Sequence, residues 1–338
     1  MVENRSDPIH LGPVADTAIA RVVRRQIEIG LDVVSDGEFR RWMFLSSFYD
    51  AVEGIATDRS AVEFRNEQGE TLVLTVPSIE ARLVRVDSPA AREAAFMTEL
   101  TAHPFKVTFP AASLFVHPFG VSAGAYPNQE EFVEHAIAIE RELIADAVET
   151  GCRYVQLDFP LYPYLVDRDW VARFEASGHR TPELLDKAIA ADRAILEGIP
   201  AGVTRSLHVC RGNYRSRWLC AGSLEPVAER LFGELDYDAF LVEWDDVGRD
   251  GGYAPVRFAP AGRTMVMGLV SSKRPQLESE DELLRRLEEA SRHLPIDQLA
   301  LSTQCGFASV IEGNEIDEET QWRKLELVAR IADRVWPR

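Results

Sequence analysis

Long apolar runs are missing from this 338-residue chain. None approaches the ~20 residues that a membrane-spanning helix needs. The opening "MVENRSDPIH" has no apolar centre, so no secretory signal is expected there. Cysteine is scarce. Cys152, Cys210, Cys220 and Cys305 are scattered along the length, which argues against a disulfide framework and for reduced thiols in the cytoplasm. Positive charge is short as well: 37 Lys and Arg stand against 55 Asp and Glu, for a net charge of -18. A surface of that sign repels phosphate, so nucleic acid is not an expected partner. Internal repeats, low-complexity tracts and Pro/Gly linkers are also absent. The reading is therefore one domain over residues 1–338, handling small molecules, with homo-oligomerisation left open.

What is present is a strand-helix rhythm. Apolar, β-branched runs recur as "LDVVSD" from 31, "FKVTFP" from 105, "RYVQLDFP" from 153, "RSLHVC" from 205, "AFLVEWD" from 239, "TMVMGLVSS" from 264 and "LALSTQCG" from 299. They are apolar almost throughout, as parallel strands covered on both faces must be. Helical patterns lie between them. In "SEDELLRRLEEASRHL" from 279, Ser279 and Glu282 have capping-box spacing, and Leu283, Leu284, Leu287, Ala290 and Leu294 make one stripe. Residues 129–150 predict a second helix with Gly151 as its cap, and residues 316–335 a third. Alternating strands and helices imply a parallel sheet with right-handed crossovers. Seven such strands predict an α/β fold of the (β/α)8 TIM-barrel type with its first strand missing. Either residues upstream of Met1 supply that strand or residues 1–13 stand in for it. The stretch "AVEFRNEQGETLVLTVPSIEARLVRV" alternates with period two around a glycine turn, and predicts an antiparallel hairpin near 60–90, inserted as a lid or rim.

In such a barrel, reactive groups sit at the C-terminal strand ends. Four candidates fall there. His208 and Cys210, two apart on one strand, point the same way. Glu243 closes the next strand, and Cys305 follows the last one. One imidazole, two thiols and one carboxylate suit tetrahedral zinc. Taken singly, each has a plainer reading: H-x-C by chance, Cys305 as a small core residue, Glu243 as a loop acid. Arg211, Arg215 and Arg217 follow the pair, either as a solvated turn or as a substrate-binding site for an anion. Tyr162, Tyr164 and Trp170 either wall a pocket or pack as core.

The run "HVC", the Glu of "LVEWDD" and the Cys of "LALSTQCGF" together resemble the zinc-binding pattern of cobalamin-independent methionine synthase, in its catalytic C-terminal barrel. "GLDVVSDGEFRR", "YVQLDFP" and "GLVSSKRPQLESEDEL" extend the likeness over most of residues 16–335. The resemblance implies a Zn2+ cofactor held by His208, Cys210, Glu243 and Cys305. It implies a small-molecule thiol such as homocysteine, with a methyl or alkyl donor, as the partners. Glu38 matches the carboxylate that holds the amino group of homocysteine, and Asp158 matches its partner. A zinc-bound thiol loses its proton and becomes a nucleophile, and the carboxylate is the ligand an incoming thiol would displace.

Three departures from the family pattern stand out. No Ile-Gly-Ser loop precedes residue 16. Lys273 takes the place of the histidine that serves the leaving group, so it is the expected catalytic proton donor. The aromatic motif that stacks a pterin reads "FPAASLFVHP", with no Trp, so a folate donor is the least supported part of the likeness. The first expectation is thus a zinc-dependent thiol S-methyltransferase forming methionine. The second is thiol alkylation of the epoxyalkane–coenzyme M transferase kind, which the 211–217 arginines would serve. A zinc-binding barrel without catalysis is the third. Decarboxylation, as in uroporphyrinogen decarboxylase, ranks below these because it does not call for the ligand set.

Overall fold

Period-two alternation and an apolar run lead to different strands here. In the computed structural model, residues 8–337 are described except 67, 119, 120 and 123, with backbone alone for 8–11 and 57–60. The alternating stretch forms a long antiparallel hairpin, β1 (Val52–Arg65) and β2 (Thr71–Arg85). Its turn is built by Asn66, whose Oδ1 accepts the N–H groups of Gln68 and Glu70 at 3.1 and 2.9 Å. The hairpin packs on the core through Phe64, Ile79 and Leu83. Arg65 and Trp218 exchange backbone hydrogen bonds at 2.8 Å, which lays the hairpin over the loop after Cys210 as the expected rim.

The apolar runs form the parallel sheet: β3 (Val107–Pro110), β4 (Tyr154–Asp158), β5 (Thr204–Val209), β6 (Ala239–Glu243), β7 (Thr264–Val270) and β8 (Leu299–Thr303), hydrogen-bonded in that order. Helices between consecutive strands cover the sheet and bury its apolar side chains in one large core. Gly268 permits the closest approach. A Cβ there would stand 2.8 Å from Gln304 Cα and from the Val242 carbonyl, so β6, β7 and the end of β8 converge only because β7 carries a glycine.

The expected strand at 31 shrinks to a single parallel pairing, Val34 with Phe105. Its other edge is taken by a side chain. The Gln26 amide donates to the Ser35 carbonyl at 2.8 Å and accepts the Ser35 N–H at 3.1 Å, standing where a neighbouring strand would. Among the described residues the sheet therefore has six strands and does not close on itself. Residues 8–13 are the start of a helix, Pro8–Ile29, and not a strand; residues 1–7 lie outside the described part.

The expected helices appear as Gln129–Glu149, Glu280–Ser291 and Glu318–Val335. Gly151 adopts φ +117 just past the first, where any side chain would collide with Thr98. The capping box at 279 does not form. Ser279 holds the N-cap position without a side-chain bond, and the Glu282 carboxylate pairs with Arg285 at 2.7 Å instead of reaching back. No helix among the described residues is long and apolar enough to cross a membrane.

Candidate active site

Parallel pairing aligns the strand ends. Asp158, the last residue of β4, is in register with His208 of β5, and Glu243 closes β6. Cys210 and Cys305 lie just beyond β5 and β8. A cavity of about 1050 Å³ opens there, with Glu38, Lys106, Asp158, His208, Cys210 and Cys305 in its wall.

His208 is the most telling side chain. Its Nδ1 lies 3.2 Å from the Leu241 carbonyl, an acceptor that fixes the proton on that nitrogen. Nε2 then carries a lone pair, is buried, and has no hydrogen-bond partner among the described residues. Burial holds the ring far below the usual histidine range, at about 4, so it is neutral at physiological pH. Both thiols line the same cavity, and each is pushed up by burial: Cys305 to about 12, Cys210 well above the usual thiol range. Cys305 is the next strongest influence on Cys210.

Glu243 is fully buried. It accepts hydrogen bonds from Lys273 Nζ at 2.7 Å, Arg249 Nη2 at 2.9 Å and the Arg211 N–H at 2.8 Å. It is bonded to these cations, while its charge also acts on His208, Cys210 and Cys305. Among the described residues no three His, Cys, Asp or Glu side chains stand together as a finished cation cage. The donor chemistry still fits zinc at three positions. A neutral imidazole offers an orphaned lone pair, its other nitrogen is steadied by a carbonyl, and two buried thiols face the same cavity.

Two carboxylates in the cavity wall, Glu38 and Asp158, are held by their neighbours. Glu38 sits at φ +58, a left-handed conformation uncommon outside glycine. Its N–H donates to Asp36 Oδ1 at 2.8 Å, and its Oε1 accepts from Thr108 Oγ1 at 2.5 Å and Arg41 at 3.2 Å. Arg41 is itself buried and bonded to Glu93 through two nitrogens, at 2.9 and 2.5 Å. Asp158 accepts from Gln156 Nε2 at 2.7 Å; burial and then the charge of Glu38 lift it to about 7. Phe159, next to it, also has positive φ, at 62. Unusual backbone thus adjoins both carboxylates, as at many ligand sites.

Arg211 does not reach the cavity. It is buried against Asp250 at 3.0 Å, while Arg217 pairs with Glu70 and Glu315 and Arg215 is exposed, so this cluster is occupied by the protein's own acids or faces solvent. Lys273 is buried and bonded to Glu243. Of the aromatic residues, Tyr164 and Trp170 wall the cavity, ring centroids 4.8 Å apart, whereas Tyr162 turns into the core and donates to Asp192 at 2.7 Å.

Sequence reasoning missed Lys106, Gln156 and Thr108. The signal was available: "FKVTFP" and "YVQLDFP" place polar residues two apart within apolar strands, where one face of each strand must meet something polar.

Comparisons with known proteins place the chain in a family. A family model described as "Cobalamin-independent synthase, Catalytic domain" matches residues 10–319. The chain belongs to that family. Bacillus subtilis (strain 168) proteins YxjH and YxjG, both named as uncharacterized, are 34% and 33% identical, over 96% of this chain and 86% of each relative. A 5-methyltetrahydropteroyltriglutamate–homocysteine methyltransferase of Synechococcus is 26% identical over 86% of this chain, which spans 35% of that enzyme. Among solved structures, a putative vitamin-B12 independent methionine synthase from Listeria monocytogenes has a TM-score of 0.75 at 27% identity, covering all of this chain and 92% of that one. A B12-independent methionine synthase from Shewanella, in complex with selenomethionine, has a TM-score of 0.74 at 19% identity, covering 97% and 89%. It supports the family fold.

Proposed function

We propose that this protein is a zinc-dependent thiol S-methyltransferase that methylates homocysteine to methionine, on a variant of the closed (β/α)8 architecture. The observation that carries the reading is the orphaned Nε2 of neutral His208 in a cavity shared with two cysteines. His208, Cys210 and Cys305 would hold zinc, with Glu243 as the fourth donor once it leaves its cations. Bound there, zinc would keep a substrate sulfur deprotonated at neutral pH, where a free thiol with a pKa near 8.5 is mostly protonated.

The chain's own residues do the rest. Glu38, fixed by Thr108 and Arg41, and Asp158, fixed by Gln156, offer negative charge to an ammonium. Tyr164 and Trp170 shield the cavity from water. Lys273 and Arg249 pair with Glu243 within the protein interior. A sulfonate thiol is less well served, because the 211–217 arginines are occupied or exposed.

The test is metal analysis of the purified chain together with methyl transfer to homocysteine from folate and non-folate donors. Stoichiometric zinc and methionine formation are expected. A chain that neither retains zinc nor binds homocysteine overturns the reading.

A further inference from the structure

The cavity contains one ammonium that the ligand set does not use. Lys106 lies in the second apolar run, one residue before β3, its backbone N–H donating to the Val34 carbonyl at 3.0 Å. Its side chain lines the cavity, and Nζ donates at 2.7 Å to a neutral acceptor, Gln156 Oε1. It has no carboxylate within ion-pair distance among the described residues. The other cavity cations are committed. Arg41 is saturated by Glu93, Glu38, Thr108 and the Phe44 carbonyl, and Arg173 lies over the Trp170 ring at the exposed rim.

A charged amine out of bulk water with two donor positions to spare is costly unless something anionic visits it. Gln156 shows what the visitor would look like. Its amide oxygen receives Lys106, and its amide nitrogen donates to Asp158 Oδ1 at 2.7 Å. The one side chain thus sets a positive and a negative charge on either side of it, both on the same cavity, with Glu38 adding to the negative side. That is the mirror of a zwitterion.

We infer that Lys106 binds the α-carboxylate of the amino-acid substrate whose ammonium is held at Asp158 and Glu38. The inference rests on the amino-acid acceptor proposed above and adds a residue that selects for it. Burial lowers the Lys106 amine below the usual lysine range, while Asp158, Glu38 and Cys305 hold it up, in keeping with an ammonium facing acids across a cavity. Gln156 acts as a positioning residue for both charges.

Calorimetry on the full chain can test this without a thiol and without turnover. L-Methionine and 3-(methylthio)propylamine differ only in the carboxylate. Wild type should bind methionine more tightly by about 10- to 100-fold, the effect of hydrogen bonds to a charged group. Lys106→Gln should abolish most of that preference while leaving the amine's affinity unchanged, and Lys106→Arg should restore part of it. Equal binding of the two ligands by wild type overturns the inference, and so does a Lys106→Gln variant that weakens both equally. Methionine selectivity without any methyl transfer would sink the proposed reaction and leave the carboxylate site standing.

Discussion

Lys273 Nζ and Glu243 Oε1 lie 2.7 Å apart, both buried. The pair competes with any cation for the carboxylate. Lys273→Met should therefore act in two directions. Breaking a buried ion pair by removing one partner costs about 3–5 kcal/mol, so the metal-free variant should melt well below wild type. Saturating zinc should return more melting temperature to the variant than to wild type, because Glu243 then has one cation fewer to leave. Equal zinc-induced shifts in differential scanning calorimetry would contradict the competition.

The cysteines divide into two classes. Cys210 and Cys305 line the cavity, whereas Cys152 and Cys220 are buried away from it. Cys210→Ser or Cys305→Ser should lower zinc affinity by at least about 10-fold, since thiolates are the soft donors of the set. Cys152→Ala should leave zinc affinity unchanged. A competitive chelator titration reads both, and a Cys305→Ser protein that holds zinc like wild type removes that residue from the ligand set.

Thr108 does one job for Glu38: its hydroxyl donates to Oε1 at 2.5 Å. Thr108→Val keeps the shape and loses that bond. The KM for homocysteine should rise about 10-fold, the cost of one hydrogen bond to a charged group, with a smaller change in kcat. An unchanged KM with a reduced kcat would move Glu38 from substrate binding to another role.

Behind the cavity wall, Glu140 and Asp192 are buried in the core on two helices. Neither Glu140 oxygen has a partner, and burial lifts its pKa well above the usual carboxylate range; burial lifts Asp192 to about 6. The folded chain thus keeps protons that the unfolded chain releases near pH 4. Their contribution to stability is full below that point and declines as pH rises through the folded values. Glu140→Gln removes one titrating group. Its melting temperature, relative to wild type, should be higher at pH 8 than at pH 5; a constant difference would mean that Glu140 titrates normally.

The parallel strands were readable because a buried run of Val, Leu and Phe admits few alternatives at that length. The strand at 31 was overread. "LDVVSD" has the composition, but the pairing it makes depends on Gln26, whose amide caps Ser35 from a preceding helix, and no local pattern announces that. Ser279 failed as a capping box for a similar reason, since Arg285 offers Glu282 a charged partner. His208, Cys210 and Cys305 were legible as an uncommon pattern at strand ends. The attachment of Glu243 to Lys273 and Arg249 was not, because it depends on how loops of three segments fold back. Lys106 was passed over as a single charge in an apolar run, although that is where a functional charge has to sit in a strand.

The two sulfur-bearing loops are held to each other by amides. Asn213 Nδ2 donates to the Gly306 carbonyl at 2.8 Å, Asn314 Nδ2 donates to Asn213 Oδ1 at 2.9 Å and to the Ser272 carbonyl at 2.7 Å, and Ser272 Oγ donates to Gly306 at 2.9 Å. This seam is polar, while the sheet beneath it is oil. Warming loosens hydrogen-bonded edges before it dissolves a packed interior. The thiols should therefore drift apart while the strands are still intact, and the molecule would lose its grip on metal some degrees before it loses its shape.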